Sequence, residues 1–330
     1  MTCCCALTSL TENEVDVPVV RTGGSVAEDD FNPIAPHPAV SATAVPPSRR
    51  FSTKLSRKEE DSKGLGADID FSSDPKLAPA VQATDPLLDN PPRLEKPEVE
   101  LPGGLLYRGQ WRGHLQDGVG VLRTPDGKVY SGEFERARAH GKGILIEKDG
   151  SLYDGQWDHG MKSGVGKFVS SDGTTYEGQW LDDMRDGVGT ECWSDGTLYK
   201  GEYFRGLKQG AGTYTTMGGV EYIGQFDQDT MHGEGTYIFL CGRIYHGEWV
   251  TGRINGTGKM TFPDGSLYEG QFVQDLKHGE GTFRWPDGRL YSGQWKGGRQ
   301  HGYGSIRDLS GTMLEGEWRD GELLRSDLGL

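Results

Sequence analysis

The side chains able to do chemistry in this chain are 49 aspartates and glutamates, eight histidines and five cysteines. Their spacing decides what they can do. His140, His232, His278 and His301 each precede the first glycine of a Gly-x-Gly pair, at separations that are multiples of 23 residues. Equivalent positions of successive hairpins stand about 10 Å apart or more, too far to share a metal held at ~2 Å. The same column holds Asp117, Ser163, Asp186, Gln209 and Asn255, types that suit turns. The carboxylates are periodic too: the column from Gln110 through Glu133 and Gln156 to Glu317 reads as the outward face of a sheet and not as a dyad in a cleft. No Ser-His-Asp set, phosphate loop or Cys-x-x-Cys pair occurs. The Gly-x-Gly pairs lack the following helix that dinucleotide binding needs. The sequence therefore predicts a protein that is not an enzyme, with no cofactor and no metal site.

The cysteines divide into two kinds. Cys192 and Cys241 lie about two repeats, roughly 20 Å, apart and cannot bridge. Cys3, Cys4 and Cys5 are consecutive. Thr2 excludes N-myristoylation, but clustered cysteines on a flexible terminus accept S-acyl chains, and two or three chains anchor stably where one does not. Free thiols are the plain alternative. Arg49, Arg50, Lys54, Arg57 and Lys58 form a basic cluster able to touch an anionic membrane, closed off by Glu59, Glu60 and Asp61; a solvated charge run is its plain alternative. Ser52, after Arg49-Arg50-Phe51, has the surroundings of a basophilic kinase site, and phosphate there would weaken that contact. The formal net charge of −14 argues against nucleic acid as a partner. The amino terminus has no basic n-region, so no secretory signal is expected. The window from Phe31 to Ser48 is broken by prolines and cannot span a bilayer. A soluble chain of a reducing compartment is expected.

The elements that position these residues follow from composition and period. Twelve of the 16 prolines precede residue 100, whereas all 13 tyrosines and all eight tryptophans follow it. Residues 1–100 read as a disordered arm, because a Pro-rich, aromatic-poor segment cannot offset the entropy of ordering. Beyond it Tyr107, Tyr130, Tyr153, Tyr176, Tyr199, Tyr222, Tyr245, Tyr268 and Tyr291 fall 23 residues apart, with Leu314 in the tenth place. A glycine follows two residues on, and an aromatic four residues on: Trp111, Phe134, Trp157, Trp180, Tyr203, Phe226, Trp249, Phe272, Trp295 and Trp318. The spacing i, i+2, i+4 places all three on one face of a strand. Asp-Gly dipeptides such as Asp126-Gly127 and Asp149-Gly150 predict two-residue type I′ hairpins. Each unit is one β-hairpin, and neighbours must stack because a single hairpin is unstable.

At these residues the chain resembles the MORN-repeat family (membrane occupation and recognition nexus), whose motif Tyr-x-Gly-x-Trp, then Gly-x-Gly and Asp-Gly, is matched by Tyr107-Arg108-Gly109-Gln110-Trp111 and its copies. The expected fold is all-β, an elongated single-sheet solenoid of nine full repeats and a half over 101–323, with no second strand after Trp318 and a tail at 324–330. The resemblance implies a scaffold between membranes and cytoskeleton, on a cytoplasmic membrane face or in a cilium. Alternatives are a phosphoinositide-binding module and a radial-spoke-like axonemal component. The aromatic columns are expected to line a shallow groove for an extended peptide or amphipathic helix, and the open end beyond Trp318, near Leu323, Leu324, Leu328 and Leu330, to join two copies.

Overall fold

The structure is a computed structural model that describes residues 91–326. Cys3, Cys4, Cys5, Arg49, Arg50, Ser52, Lys54, Arg57 and Lys58 lie outside the described residues, as do Leu328 and Leu330. Among the described residues there are strands and turns and no helix. Twenty-one strands make one antiparallel sheet, from β1 (Arg93–Leu101), β2 (Leu105–Arg112), β3 (Leu115–Arg123), β4 (Val129–Glu135) and β5 (Arg138–Ile146) to β20 (Met313–Arg319) and β21 (Glu322–Ser326). Each strand pairs with the one before and the one after it. Twenty-one strands at about 4.8 Å span roughly 100 Å along the hydrogen-bonding direction.

Two boundaries differ from the sequence reading. The sheet begins before residue 101, because β1 pairs with β2 from Arg93↔Arg112 to Leu101↔Leu105. This strand lacks the repeat motif, carries Pro97 and alternates charges, so it covers the first repeat's edge without inviting another strand. At the other end a second strand does follow Trp318: β21 pairs with β20, Trp318 opposite Leu323.

The turns also exchange roles. In the Asp-Gly loops only the glycine has positive φ, as at Gly127 (φ 98°). Thr124 O accepts from Gly127 N at 3.0 Å and Thr124 N donates to Lys128 O at 3.0 Å, a three-residue loop and not a type I′ turn. The type I′ geometry sits at the opposite end of the hairpin. Arg136 and Ala137 have φ of 49° and 67°, and Asp182 and Asp183 of 49° and 64°, with no glycine to announce them. These tight turns are stitched along the array: Ala137 N donates to Gln116 O at 2.8 Å, and Asp183 N to Lys162 O at 3.1 Å. The lateral bonds offset the cost of left-handed backbone at ordinary residues.

Each Gly-x-Gly pair opens a bulge. Gly132 pairs with Gly143 but Glu133 with His140, leaving Gly141 and Lys142 as the extra residues. The bulge frees an amide, and the Gln/Glu column supplies its acceptor: Lys142 N donates to Glu133 Oε1 at 3.1 Å, Val165 N to Gln156 Oε1 at 2.8 Å and Val188 N to Gln179 Oε1 at 2.7 Å. That column is exposed, as its place on the strand implied, yet it closes the bulge. Gln179→Ala should therefore cost about 1 kcal/mol, read as a lowered urea midpoint with unchanged m-value. An unchanged midpoint would show that water serves the Val188 amide equally well.

Candidate functional site

The periodic tyrosines and aromatics pack into one ladder. Each tyrosine ring meets the aromatic of its own repeat and that of the next edge-to-face, from Tyr107–Trp111 at 5.2 Å and Tyr107–Phe134 at 5.1 Å to Tyr291–Trp318 at 5.2 Å. Such pairs add ~0.5–1.5 kcal/mol each beyond area burial. Each of these tyrosines donates its hydroxyl to the carbonyl three residues on, as Tyr176 to Gln179 O at 2.9 Å. The indoles reach back across strands, Trp180 Nε1 to Gly166 O at 3.1 Å and Trp318 Nε1 to Gly304 O at 3.2 Å.

This ladder corrects the expectation of a groove. Tyr107, Tyr130, Tyr153, Tyr176, Tyr199, Tyr222, Tyr245, Tyr268 and Tyr291 are at most 3% exposed, and Trp111, Phe134, Trp157, Trp180, Tyr203, Phe226, Trp249, Phe272, Trp295 and Trp318 at most 8%. They form the core and offer no open floor to a peptide. The physical reason is the glycine pair. With no side chain at Gly178 and Gly189, the ring of Tyr176 lies directly on the backbone, so close that a Cβ at Gly189 would stand 2.4 Å from its hydroxyl.

Flanking columns finish the closure. One holds Leu122, Leu145, Phe168, Tyr214, Tyr237, Met260, Phe283 and Ile306. Glu191 takes the same place in its repeat, buried, accepting from Tyr203 Oη at 3.0 Å and pairing with Arg185 at 2.5 Å. The other column carries cations among rings. Lys277, 3% exposed, stands 4.7 Å from the Phe283 centroid and 5.2 Å from that of Trp295; Lys208 stands 5.0 Å over Trp193. Burial pulls Lys162 and Lys208 below the usual amine range, against the opposing attraction of Asp183 for Lys162 and of Glu191 and then Asp229 for Lys208. Sequence reading missed these groups; Glu191 is the one charged residue in an otherwise apolar column, whereas Lys162, Arg185, Lys208 and Lys277 share theirs with Ala139, Met231 and Ile254.

The remaining expected sites divide. His140, His232, His278 and His301 lie within strands, one residue before the bulge glycine, and not in turns. His140 faces Glu135 at 3.5 Å and Asp158 at 3.4 Å; no group among the described residues has the geometry to hold a metal ion. Cys192 and Cys241 are free thiols. What solvent meets is the opposite face, where Lys142, Lys167, Lys200 and Lys259 are exposed, and the rows of turns. A shallow cleft of mixed polar and apolar lining is formed by Glu202, Gln209, Ala211, Gln225, Phe226, Asp227 and His232.

A meander of bulged hairpins whose aromatic side is closed on itself defines an open-ended β-repeat protein. The MORN repeat model matches nine stretches, 107–129, 130–151, 153–175, 176–198, 199–219, 222–239, 245–267, 268–288 and 291–313, and the chain belongs to the MORN-repeat family. A comparison with curated proteins finds no match. Among solved structures it is similar to the TCP10 domain of Danio rerio CPAP in complex with a peptide of Danio rerio STIL (12% identity, 71% of this chain and 98% of that one, TM-score 0.39). It is also similar to the TCP domain of Drosophila melanogaster SAS-4 (11% identity, 67% and 98%, TM-score 0.25). These likenesses are too distant to carry a partner or an activity across.

Proposed function

We propose that the protein is a non-enzymatic scaffold whose array binds protein partners along its outer face and turns. The observation that supports this is the uninterrupted run of nine repeats in one sheet, with the aromatic side consumed by the fold and a long, regular outer surface left for partners. Repeated positions about 10 Å apart suit the ordering of several partners along one rigid body.

The finer reading ties this body to a membrane. Cys3, Cys4 and Cys5 carry S-acyl chains, the cluster Arg49, Arg50, Lys54, Arg57 and Lys58 supplies a second, electrostatic contact, and phosphate on Ser52 weakens it. The place of action is then the cytoplasmic face of a membrane, beside cortical or ciliary structures. Hydroxylamine-sensitive acyl labelling with membrane fractionation tests the tether, on wild type and with all three cysteines changed to serine. Label and membrane retention should be lost together in the variant. An unlabelled wild type sedimenting with detergent-insoluble filaments would replace the tether with a cytoskeletal or axonemal role.

A further inference from the structure

The long turns change character along the array. Their second residue is Pro125, Lys148, Ser171 and then Ser194 in the first four repeats, and Met217, Leu240, Pro263, Pro286 and Leu309 in the next five. Met217 is 82% exposed, Leu240 73% and Leu309 68%. Three of these five tips, Met217, Pro263 and Leu309, come close to the glycine of the preceding turn, whereas Leu240 and Pro286 do not. A Cβ at Gly196 would lie 3.1 Å from Met217 Cε, one at Gly242 3.3 Å from Pro263 Cγ, and one at Gly288 3.9 Å from Leu309 Cδ2. The five tips follow one another along one edge of the sheet as a row of apolar residues.

Beside this row, on the outer face, Leu267, Arg284, Leu290, Arg307 and Met313 are successive cross-strand partners. Arg284 and Arg307 are exposed, and neither forms an ion pair among the described residues. The carboxylates of the neighbouring turns are already engaged. Asp264 accepts from Ser266 N, Asp287 holds Arg289, and Asp308 accepts from Ser310 N and Thr312 N. An aliphatic row with two uncommitted guanidinium groups calls for an occupant that is apolar and acidic together.

The spacing selects its conformation. Tips two strands apart recur at about 10 Å, and one heptad of α-helix rises about 10.5 Å. An extended strand covers a similar distance in about three residues, but its period of two turns alternate contacts away from the row. We propose that the turn edge of repeats five to nine docks an acidic amphipathic helix of a partner protein. Aliphatic side chains one heptad apart sit between the tips, and carboxylates meet Arg284 and Arg307. This rests on the scaffold reading and adds the surface and the partner's chemistry.

The test uses fluorescence anisotropy of the full chain with a synthetic helical probe of about four heptads, leucine on one stripe and glutamate flanking it. Controls are the same peptide with lysine for glutamate, and phosphatidylcholine–phosphatidylserine vesicles. Saturable binding of the acidic probe is expected. The double change Arg284→Glu and Arg307→Glu should weaken it at least about tenfold, and Leu240→Ser with Leu309→Ser should also weaken it. All four residues are exposed, so unchanged circular dichroism verifies folding, and Lys142→Glu with Lys167→Glu should leave binding intact. No saturable binding, equal binding of the lysine probe, or vesicle binding abolished by the same arginine changes would overturn the proposal. Partner contacts elsewhere on the outer face, with no probe binding, would sink this surface alone and leave the scaffold standing.

Discussion

Gly189→Ala is expected to remove about 3 kcal/mol or more of stability and to split the array's unfolding into two transitions. The added methyl would stand 2.4 Å from Tyr176 Oη and 2.5–2.6 Å from its ring carbons, and it cannot move away, because it is fixed to the backbone of a paired strand. The ring cannot yield either: Tyr176 contacts Trp180 at 5.1 Å and Tyr203 at 5.2 Å. Displacing it breaks the ladder between adjacent repeats, and in a linear array the coupling between neighbours carries the cooperativity. Gly150→Ala is the control. Its φ is 88°, but nothing lies within 4 Å of its added Cβ, so it should cost only about 1 kcal/mol of backbone strain. Guanidinium denaturation followed by circular dichroism compares the two. Equal losses would show that the ring does not rest on that glycine.

Alkali should unfold the sheet in one step near pH 11. Burial raises the hydroxyl pKa of Tyr107 and Tyr176 to about 12, and burial pushes Tyr130, Tyr153, Tyr199, Tyr222, Tyr245, Tyr268 and Tyr291 up as well. The folded state thus holds protons that the unfolded chain releases near pH 10. This stabilisation is complete below pH 10 and is lost as pH rises through the folded values. Each ring loses about 1.4 kcal/mol per pH unit in that window. Nine rings together exceed a typical stability of ~5–15 kcal/mol within one or two pH units. Tyrosinate absorbance and loss of the sheet's circular dichroism should therefore coincide. Rings that titrate near pH 10 while the sheet persists would contradict their burial.

The period was legible because Tyr176, Gly178 and Trp180 fall on one face of one strand, and two-residue alternation needs no tertiary information. The burial of that face was not legible. It depends on the bulge at Gly187-Val188 and on the ring of Tyr176 crossing to Gly189, both contacts between strands. The turn types were misplaced for a related reason. Asp126-Gly127 looks like a two-residue hairpin until the pairing of the flanking residues fixes a three-residue loop, whereas Arg136-Ala137 carries no glycine and is held by a bond from the neighbouring hairpin. The second strand after Trp318 was missed because Glu322–Ser326 lacks the Gly-x-Gly signature and is defined by pairing alone. The change of turn residues from Ser194 to Met217 stands in the sequence, but which tips reach the preceding turn is set by packing between hairpins.

Cross-linking mass spectrometry of the full chain in cells, with a lysine-reactive reagent, tests most directly the claim that partners meet the outer surface while the aromatic side is closed. Cross-links to other proteins should concentrate at Lys142, Lys167, Lys200 and Lys259, which are exposed, and spare Lys208 and Lys277, which are buried among rings. Partner cross-links at Lys208 or Lys277 would mean that the ladder opens to receive them. An absence of cross-links to other proteins at every lysine would contradict the scaffold itself.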